Sequence, residues 1–171
     1  MLKILSELLN MSQVEAGRIQ LNIKNVNPEE IIENAIQAVA IGAKEKEIII
    51  KDISVKNLPF IQADADKTTW VLNNFLTNAI KYSFNKSSIE VSAVQENGGM
   101  VFSVTDHGPG IDREYLPRLF ERYFQVPGSK EKGTGLGLAI SKDFIEAQGG
   151  KIWVESEIAK GSVFYFSLPL K

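Results

Sequence analysis

The sequence contains no cysteine and a single histidine, and its apolar runs are short. Without cysteine, the protein has neither disulfides nor thiolate metal sites, which is compatible with the cytoplasm. No apolar run approaches the roughly 18 residues of a membrane span, and no cationic leader precedes a long apolar core. The net charge of -2 gives no general attraction for nucleic acid. We therefore expect a cytoplasmic chain without membrane or nucleic-acid contacts.

The chain of 171 residues, 44% of them hydrophobic, is long enough for one substantial core. Leu2, Leu5, Leu8 and Leu9 recur at helical spacing and predict an N-terminal helix to about Ala16. Periodicity and capping residues then predict helices at 28–44, from 64 or 66 to 82, and at 136–148. Alternation predicts strands at 18–26, 47–53, 58–62, 89–95, 100–105, 151–156 and 162–168, with a hairpin turn at Asn97-Gly98-Gly99.

This order of elements predicts an α/β sandwich. We expect a mixed sheet of about five to seven strands, three main helices on one face, and a short helix before them. Residues 106–132 form a long segment punctuated by glycine and proline. Connections of that length in a compact domain are usually functional lids or disordered segments.

A glycine-rich run, Gly133-Thr134-Gly135-Leu136-Gly137-Leu138, opens the last predicted helix. Glycines allow backbone amides close to a phosphate, and the start of a helix adds unpaired N–H groups and a positive dipole end. The spacing matches neither the Walker motif nor the dinucleotide fingerprint. The run therefore predicts either a phosphate cradle of another nucleotide fold or an ordinary helix start.

Two further patterns carry polar groups at fixed positions. Asn74, Asn78 and Lys81 share one face of the middle helix, either as a solvated stripe or as a site where an amide oxygen meets Mg²⁺ and phosphates. Asp106-His107-Gly108-Pro109-Gly110-Ile111 ends a predicted strand. It is either a simple turn or a place where the carboxylate accepts a hydrogen bond from an adenine amino group.

Taken in order, these motifs resemble the ATP-binding catalytic domain of sensor histidine kinases, in the superfamily shared with topoisomerase and chaperone ATPases. Residues 74–83 look like the asparagine box of that family, 106–111 and 133–138 like its two glycine boxes, and 119–124 like its phenylalanine box. Residues 8–21 resemble the end of the dimerisation domain's second helix running into the first strand of the kinase domain. The resemblance implies a dimerisation-helix end at 1–17 and an ATP-binding domain with a mobile ATP lid at 18–171.

The resemblance also implies roles for individual residues. Asn78 would coordinate Mg²⁺, Asn74 and Lys81 would act in catalysis facing the phosphates, Tyr82 would line the site, and Asp106 would bind adenine. The remaining contacts to ATP would come from the two glycine boxes and the lid: Gly108, Gly110, Ile111, Phe124, Lys132, Gly133, Thr134, Gly135, Leu136, Gly137 and Leu138.

Position 74 separates reaction types within the superfamily. Related ATPases carry a glutamate there to activate water, and an asparagine amide cannot act as a general base. The resemblance therefore implies transfer of the γ-phosphate to a histidine, within two-component signal transduction. The alternatives are a degenerate nucleotide-binding regulatory module and a related ATPase.

The family pattern differs from this chain at Gln125, where kinases of the group commonly have an arginine that contacts the terminal phosphate. Lys130, Lys132 or Arg122 would then supply the charge. His107, beside the adenine end, is not expected to be the phosphoacceptor. We expect that histidine on the dimerisation domain, absent from this chain.

The partners that the resemblance implies are that dimerisation domain and a response regulator. These residues do not decide whether the intact protein is anchored in a bacterial inner membrane. The leucines of the N-terminal helix form an apolar stripe that we expect either to pair with a second copy or to fold back on the domain.

Overall fold

The computed structural model describes residues 2–131 and 133–170. In these ranges the helices are α1 (Leu2–Glu15), α2 (Pro28–Glu45), α3 (Ala65–Tyr82) and α4 (Gly137–Ala147), with a short 3-10 helix at Arg113–Arg118. The strands are β1 (Ile23–Val26), β2 (Ile49–Asp52), β3 (Ile61–Asp64), β4 (Ser88–Glu96), β5 (Gly99–Asp106), β6 (Lys151–Glu157) and β7 (Gly161–Pro169).

The main sheet has five strands in the order β2-β4-β5-β7-β6. Strand β2 runs parallel to β4, and the other pairs are antiparallel, so the sheet is mixed. Strands β1 and β3 form a separate antiparallel pair. The predicted α/β sandwich with a mixed sheet is confirmed, and the strands divide between two sheets.

One face of the main sheet carries the core. Side chains of β4, β5 and β7 alternate between buried and half-buried along most of each strand, and helices α2, α3 and α4 pack against the sheet. Four fully buried phenylalanines fill the space between the layers: Phe75, Phe102, Phe144 and Phe166. The rings of Phe102 and Phe166 stack with centroids 4.7 Å apart. This core holds α3, α4 and the end of β5 in fixed relation.

Local sequence signals account for several element boundaries. Asn27 and Asp64 cap α2 and α3, each accepting a backbone N–H at 3.0 Å. Asn97 and Gly98 both have positive φ, and Glu96 pairs with Gly99 across the turn. That geometry is the type I′ hairpin turn that an Asn-Gly pair favours.

Three predicted strands were wrong in their bounds. The strand predicted at 18–26 is confined to Ile23–Val26, and the one predicted at 58–62 lies at Ile61–Asp64, because these two segments pair over only four residues. The strand predicted at 47–53 begins at Ile49, since Glu47 has φ 56°. Alternation indicates a half-buried segment but does not reveal where its partner strand ends.

Helix α1 packs on its own domain, against α4. The packed face contains Glu7 and Met11, which are buried, whereas Leu5 and Leu9 remain 55% and 59% exposed. Leu5 and Leu9 of the leucine stripe therefore do not fold back on the domain, because α1 returns to it through other residues, and pairing of the stripe with a second copy stays a prediction. The side chain of Leu2 lies outside the described residues. Within the described ranges, no helix has the length and apolar character needed to cross a bilayer.

Candidate nucleotide-binding site

Four parts of the fold surround one cavity of about 310 Å³. They are the second half of α3, the loop after β5 (residues 106–111), the lid that follows it (described for residues 112–131), and the glycine-rich start of α4. Of the residues predicted to bind the nucleotide, those that line the cavity are Asn74, Asn78, Lys81, Tyr82, Asp106, Gly110, Ile111, Phe124, Gly133, Thr134, Gly135, Gly137 and Leu138.

Two predicted residues do not line the cavity, and the placement of a third is not described. Gly108 is buried behind the cavity, where its N–H donates to Asp106. Leu136, within the glycine-rich run, is buried in the core. Lys132 lies outside the described residues. Gly108 and Leu136 therefore shape the glycine-containing segments in which they lie, and neither lines the cavity.

Asp106, the last residue of β5, lines the cavity. Its side chain is only 6% exposed, and its Oδ1 accepts the Gly108 N–H at 2.9 Å. Burial raises the pKa of this carboxyl above its ordinary value, while the backbone amides of Gly108 and Ser162 oppose that shift. The pocket therefore presents a hydrogen-bond acceptor whose charge is poorly solvated, suited to a neutral donor such as an amino group.

Asn74 is buried between α3 and α4, with 6% of its surface exposed. Its amide donates to the Ser141 hydroxyl at 3.3 Å, and that hydroxyl donates to the Gly137 carbonyl at 2.8 Å. A Cβ at Gly137 would overlap the Asn74 amide oxygen. The interpretation of Asn74 as part of a solvated stripe is thus wrong, and Gly137 allows the two helices to approach at this point.

The start of α4 differs from the starts of α2 and α3. The residue before α4 is Leu136, which has no polar side chain to cap the helix. The N–H groups of Gly137 and Leu138 have no intrahelical partner, and both residues line the cavity. Gly135 has φ 72°, and a Cβ there would lie 2.7 Å from the Tyr123 backbone. This arrangement provides unpaired amides and a positive helix end for an anion.

Asn78 and Lys81 continue the α3 face that lines the cavity. Both are half-buried, and the Lys81 ammonium lies 5.4 Å from the centroid of the Tyr82 ring. Among the described residues, no group of three His, Cys, Asp or Glu side chains is placed to hold a metal ion. The Asn78 amide oxygen is a hard neutral ligand, so the donor set fits Mg²⁺ that already shares phosphate oxygens.

The lid is closed onto the glycine-rich run by two hydrogen bonds. The Tyr123 N–H donates to the Gly135 carbonyl at 2.8 Å, and the Gln125 side-chain amide donates to the Gly133 carbonyl. Phe124, between them, lines the cavity, and the Arg118 guanidinium lies 4.4 Å from the centroid of its ring. Gln125 therefore acts as a clasp between the lid and the glycine-rich run.

Among the described residues, the positive charges that line the cavity come from outside the lid. Arg122 pairs with Glu15 at 3.7 Å, and neither Arg122 nor Lys130 lines the cavity. Lys81 and Lys3 do line it. Of the lid cations considered from sequence, the two in the described range therefore lie away from this space.

Residues of α1 were missed as part of the cavity. Lys3 and Glu7 both line it, one helical turn apart, although α1 lies about 130 residues from the glycine-rich run. The sequence contained one usable signal, a pair of opposite charges four residues apart in an otherwise leucine-rich helix. His107, in contrast, is exposed and does not line the cavity, and its Nε2 lies 3.7 Å from the Glu90 carboxylate.

Residues 63–171 match the family described as histidine kinase-, DNA gyrase B- and HSP90-like ATPases. The chain belongs to this ATPase family. The matched range contains α3, the loop after β5, the lid and the start of α4, the four parts that surround the cavity. The resemblance stated from sequence is confirmed, and the chain is an ATP-binding domain.

Relatives of the domain are sensor kinases. It is 37% identical over 168 residues to sensor histidine kinase ZraS of Escherichia coli (strain K12), covering 98% of this chain and 35% of ZraS. It is 32% identical over 174 residues to sensor protein kinase WalK of Staphylococcus aureus, covering 99% of this chain and 41% of WalK. The chain thus spans well under half the length of these relatives.

Solved structures agree with the sequence relatives. Full-length ShkA in complex with AMPPNP superposes with a TM-score of 0.88 at 31% identity, over 98% of this chain and 35% of ShkA. The catalytic domain of histidine kinase ThkA superposes with a TM-score of 0.78 at 28% identity, over 88% of this chain and 97% of that domain. The ATPase-family domain is therefore of the histidine kinase type.

Proposed function

We propose that this domain binds Mg²⁺-ATP and transfers the γ-phosphate to a histidine outside the sequence, as the kinase step of a two-component pathway. The observation that carries the proposal is the convergence of a buried carboxylate, an asparagine–lysine face and an uncapped helix start on one cavity. Phosphoryl transfer needs mainly positioning and charge neutralisation, which these groups supply.

The cavity has two chemically different ends. Asp106 would accept the adenine amino group at one end, with Gly110 and Ile111 beside the ring. At the other end, the amides of Gly137 and Leu138 would meet the phosphates. Lys81 and Asn74 would face the phosphates from α3, and Tyr82 would line the site between the two ends.

Asn78 would hold Mg²⁺ together with phosphate oxygens, and the ion would neutralise charge on the triphosphate. Asn74 stands where an ATPase of this superfamily would have a general base. Its amide takes no proton near neutral pH and is already bonded to Ser141. We therefore favour transfer to a protein over rapid hydrolysis.

We also propose the partners. The acceptor would be a histidine on a dimerisation segment, with a response regulator receiving the phosphoryl group next. Similarity to sensor kinases extends over 98–99% of the chain, whereas the family match starts only at residue 63. This longer similarity supports residues 1–17 as the end of a dimerisation helix and residues 18–171 as the ATP-binding domain. His107 is exposed away from the cavity, which argues against it as the acceptor.

Two measurements test the proposal. Calorimetric titration with AMPPNP should show saturable binding that is strengthened by Mg²⁺; Asp106→Ala should weaken it, and Asn78→Ala should remove the Mg²⁺ effect. A separately prepared dimerisation segment should then gain an acid-labile, alkali-stable phosphate from ATP, and His107→Ala should leave this transfer unchanged.

A second candidate function is a nucleotide-binding regulatory module without transfer. The Gln125 bond to the Gly133 carbonyl favours this module, because Gln125 occupies the position where the family commonly has an arginine that contacts phosphate. AMPPNP binding without any labelled histidine would support the regulatory module against the kinase.

A further inference from the structure

Ser141 on α4 is fully buried and does not line the cavity, but it contacts a side chain that does. Its hydroxyl donates to the Gly137 carbonyl at 2.8 Å, one helical turn earlier. A hydroxyl carries a single proton, so towards any further partner Ser141 acts as an acceptor. The atom that faces it from α3 must therefore be a donor.

Asn74 supplies that donor. Its Nδ2 donates to the Ser141 oxygen at 3.3 Å, so the donating half of the amide is directed at α4. The accepting half, Oδ1, receives no hydrogen bond from any group within residues 2–131 and 133–170. Because Asn74 lines the cavity, Oδ1 is the polar atom that its side chain has left to offer a ligand there.

The opposite orientation of the amide is disfavoured. Exchanging Oδ1 and Nδ2 would place Oδ1 against the Ser141 oxygen, and the hydroxyl would have to give up its bond to Gly137 to donate to it. Moving the amide aside is also restricted, because the backbone of Gly137 lies so close that a Cβ there would overlap Oδ1. Ser141 therefore selects one of two orientations that are otherwise similar in size and shape.

We propose that Ser141 is a positioning residue for nucleotide binding, because its hydroxyl holds Asn74 with the amide oxygen towards the cavity. The proposal rests on the nucleotide-binding function proposed above and makes the role of Asn74 more specific. An amide oxygen attracts Mg²⁺ or a water bound to it, whereas it repels phosphate oxygens. Asn74 would thus act on the cation that accompanies the triphosphate, and Ser141 would keep the amide in the orientation that does so.

The first test is calorimetric titration of Ser141→Ala with AMPPNP, with Mg²⁺ and in EDTA. The substitution removes the hydroxyl and little volume, so the amide of Asn74 is free to turn and present its N–H groups to the phosphates. Binding with Mg²⁺ should weaken about five-fold, the effect of one neutral hydrogen bond. Binding in EDTA should not weaken, because an N–H group suits a bare phosphate. A loss of packing alone would weaken both equally.

Two further variants are the controls. Ser141→Thr keeps the hydroxyl and should restore binding with Mg²⁺ to within about two-fold of the unchanged domain. Thr77→Val removes a hydroxyl of the same kind from α3, one that donates to the carbonyl four residues earlier at 2.8 Å and does not line the cavity. This control should leave both affinities within about two-fold.

The second test observes the hydrogen bond without nucleotide. In a ¹⁵N-labelled domain, the Asn74 side-chain amide signal is identified by its absence from Asn74→Ala. In Ser141→Ala the amide protons should move upfield and exchange faster with water, because they lose their acceptor. In Ser141→Thr and Thr77→Val they should stay as in the unchanged domain.

The outcomes separate the positioning role from the nucleotide site. Unchanged Mg²⁺-AMPPNP affinity in Ser141→Ala would overturn the positioning role, and so would equal weakening with Mg²⁺ and in EDTA, or an unmoved Asn74 amide signal. A folded Ser141→Thr that binds like Ser141→Ala would overturn it as well; if Ser141→Thr does not fold, the two affinities of Ser141→Ala decide. No AMPPNP binding by the unchanged domain would instead overturn the proposed function, and this proposal with it.

Discussion

Substituting Gly137 by alanine tests whether the contact between α3 and α4 is as tight as the structure shows. The new Cβ would overlap the amide oxygen of Asn74, which is buried and bonded to Ser141. The asparagine would have to move, and it would lose that bond. We expect lower stability and weaker nucleotide binding, because both residues line the cavity.

The magnitude follows from two opposing effects. Overpacking a well-filled site costs about 1–3 kcal/mol. Replacing glycine by alanine in a helix contributes up to about 1 kcal/mol in the other direction. The net expectation is a loss of about 1–2 kcal/mol in the free energy of unfolding. Gly42→Ala in α2 is the matched control, since nothing lies within 4 Å of its added Cβ, and it should gain about 0.5–1 kcal/mol.

The assay is urea unfolding followed by tryptophan fluorescence, with the slope checked for constancy. A double-mutant cycle with Asn74→Ala should recover most of the loss, because the shortened side chain leaves room for the Cβ. The reasoning is refuted if Gly137→Ala is as stabilising as Gly42→Ala, or if Asn74→Ala gives no recovery.

Three further predictions concern the site and its supports. Nucleotide affinity should fall as the pH drops through the raised pKa of Asp106, because protonation weakens the acceptor for adenine. In calorimetry, the Asp106→Asn variant should bind nucleotide weakly and should not show this pH dependence. Lys46 donates to three carbonyls at the end of α3, at 2.8 to 3.2 Å, so Lys46→Met should lower stability in urea by about 1–3 kcal/mol, and exposed Lys44→Met should change it little. Gln125→Ala should raise amide hydrogen exchange in the lid without changing exchange in the core strands. Unchanged exchange in the lid would contradict the role of Gln125 as a clasp.

The Asp106 prediction also carries a sign for stability. Because folding raises the pKa of this carboxyl, the folded state binds the proton more tightly than the unfolded state. Its burial therefore opposes folding at neutral pH, and that penalty is relieved as the pH falls through the raised pKa. Asp106→Asn without nucleotide should consequently be at least as stable as the unchanged domain at neutral pH in the same urea assay.

Much of the fold was predictable because its signals are local. Asn27 before Pro28 caps a helix, and Asn97-Gly98 makes a tight hairpin turn, whatever the rest of the chain does. The glycine-rich run and the asparagine face were also readable, since their chemistry depends on neighbouring residues along one helix or loop. The sequence likewise predicted the order in which these parts follow one another.

Only the tertiary structure decided which of these groups meet and which faces are covered. It buries Asn74 against Ser141, joins the lid to the glycine-rich run through Gln125, and limits β1 and β3 to a short separate pair. It also places Glu7 on Thr134 across 127 residues of sequence. Periodicity along α1 identified its leucines as an apolar stripe. The face of α1 that packs is a different one, whose shape and charge fit the cavity. That fit exists only once distant elements have assembled.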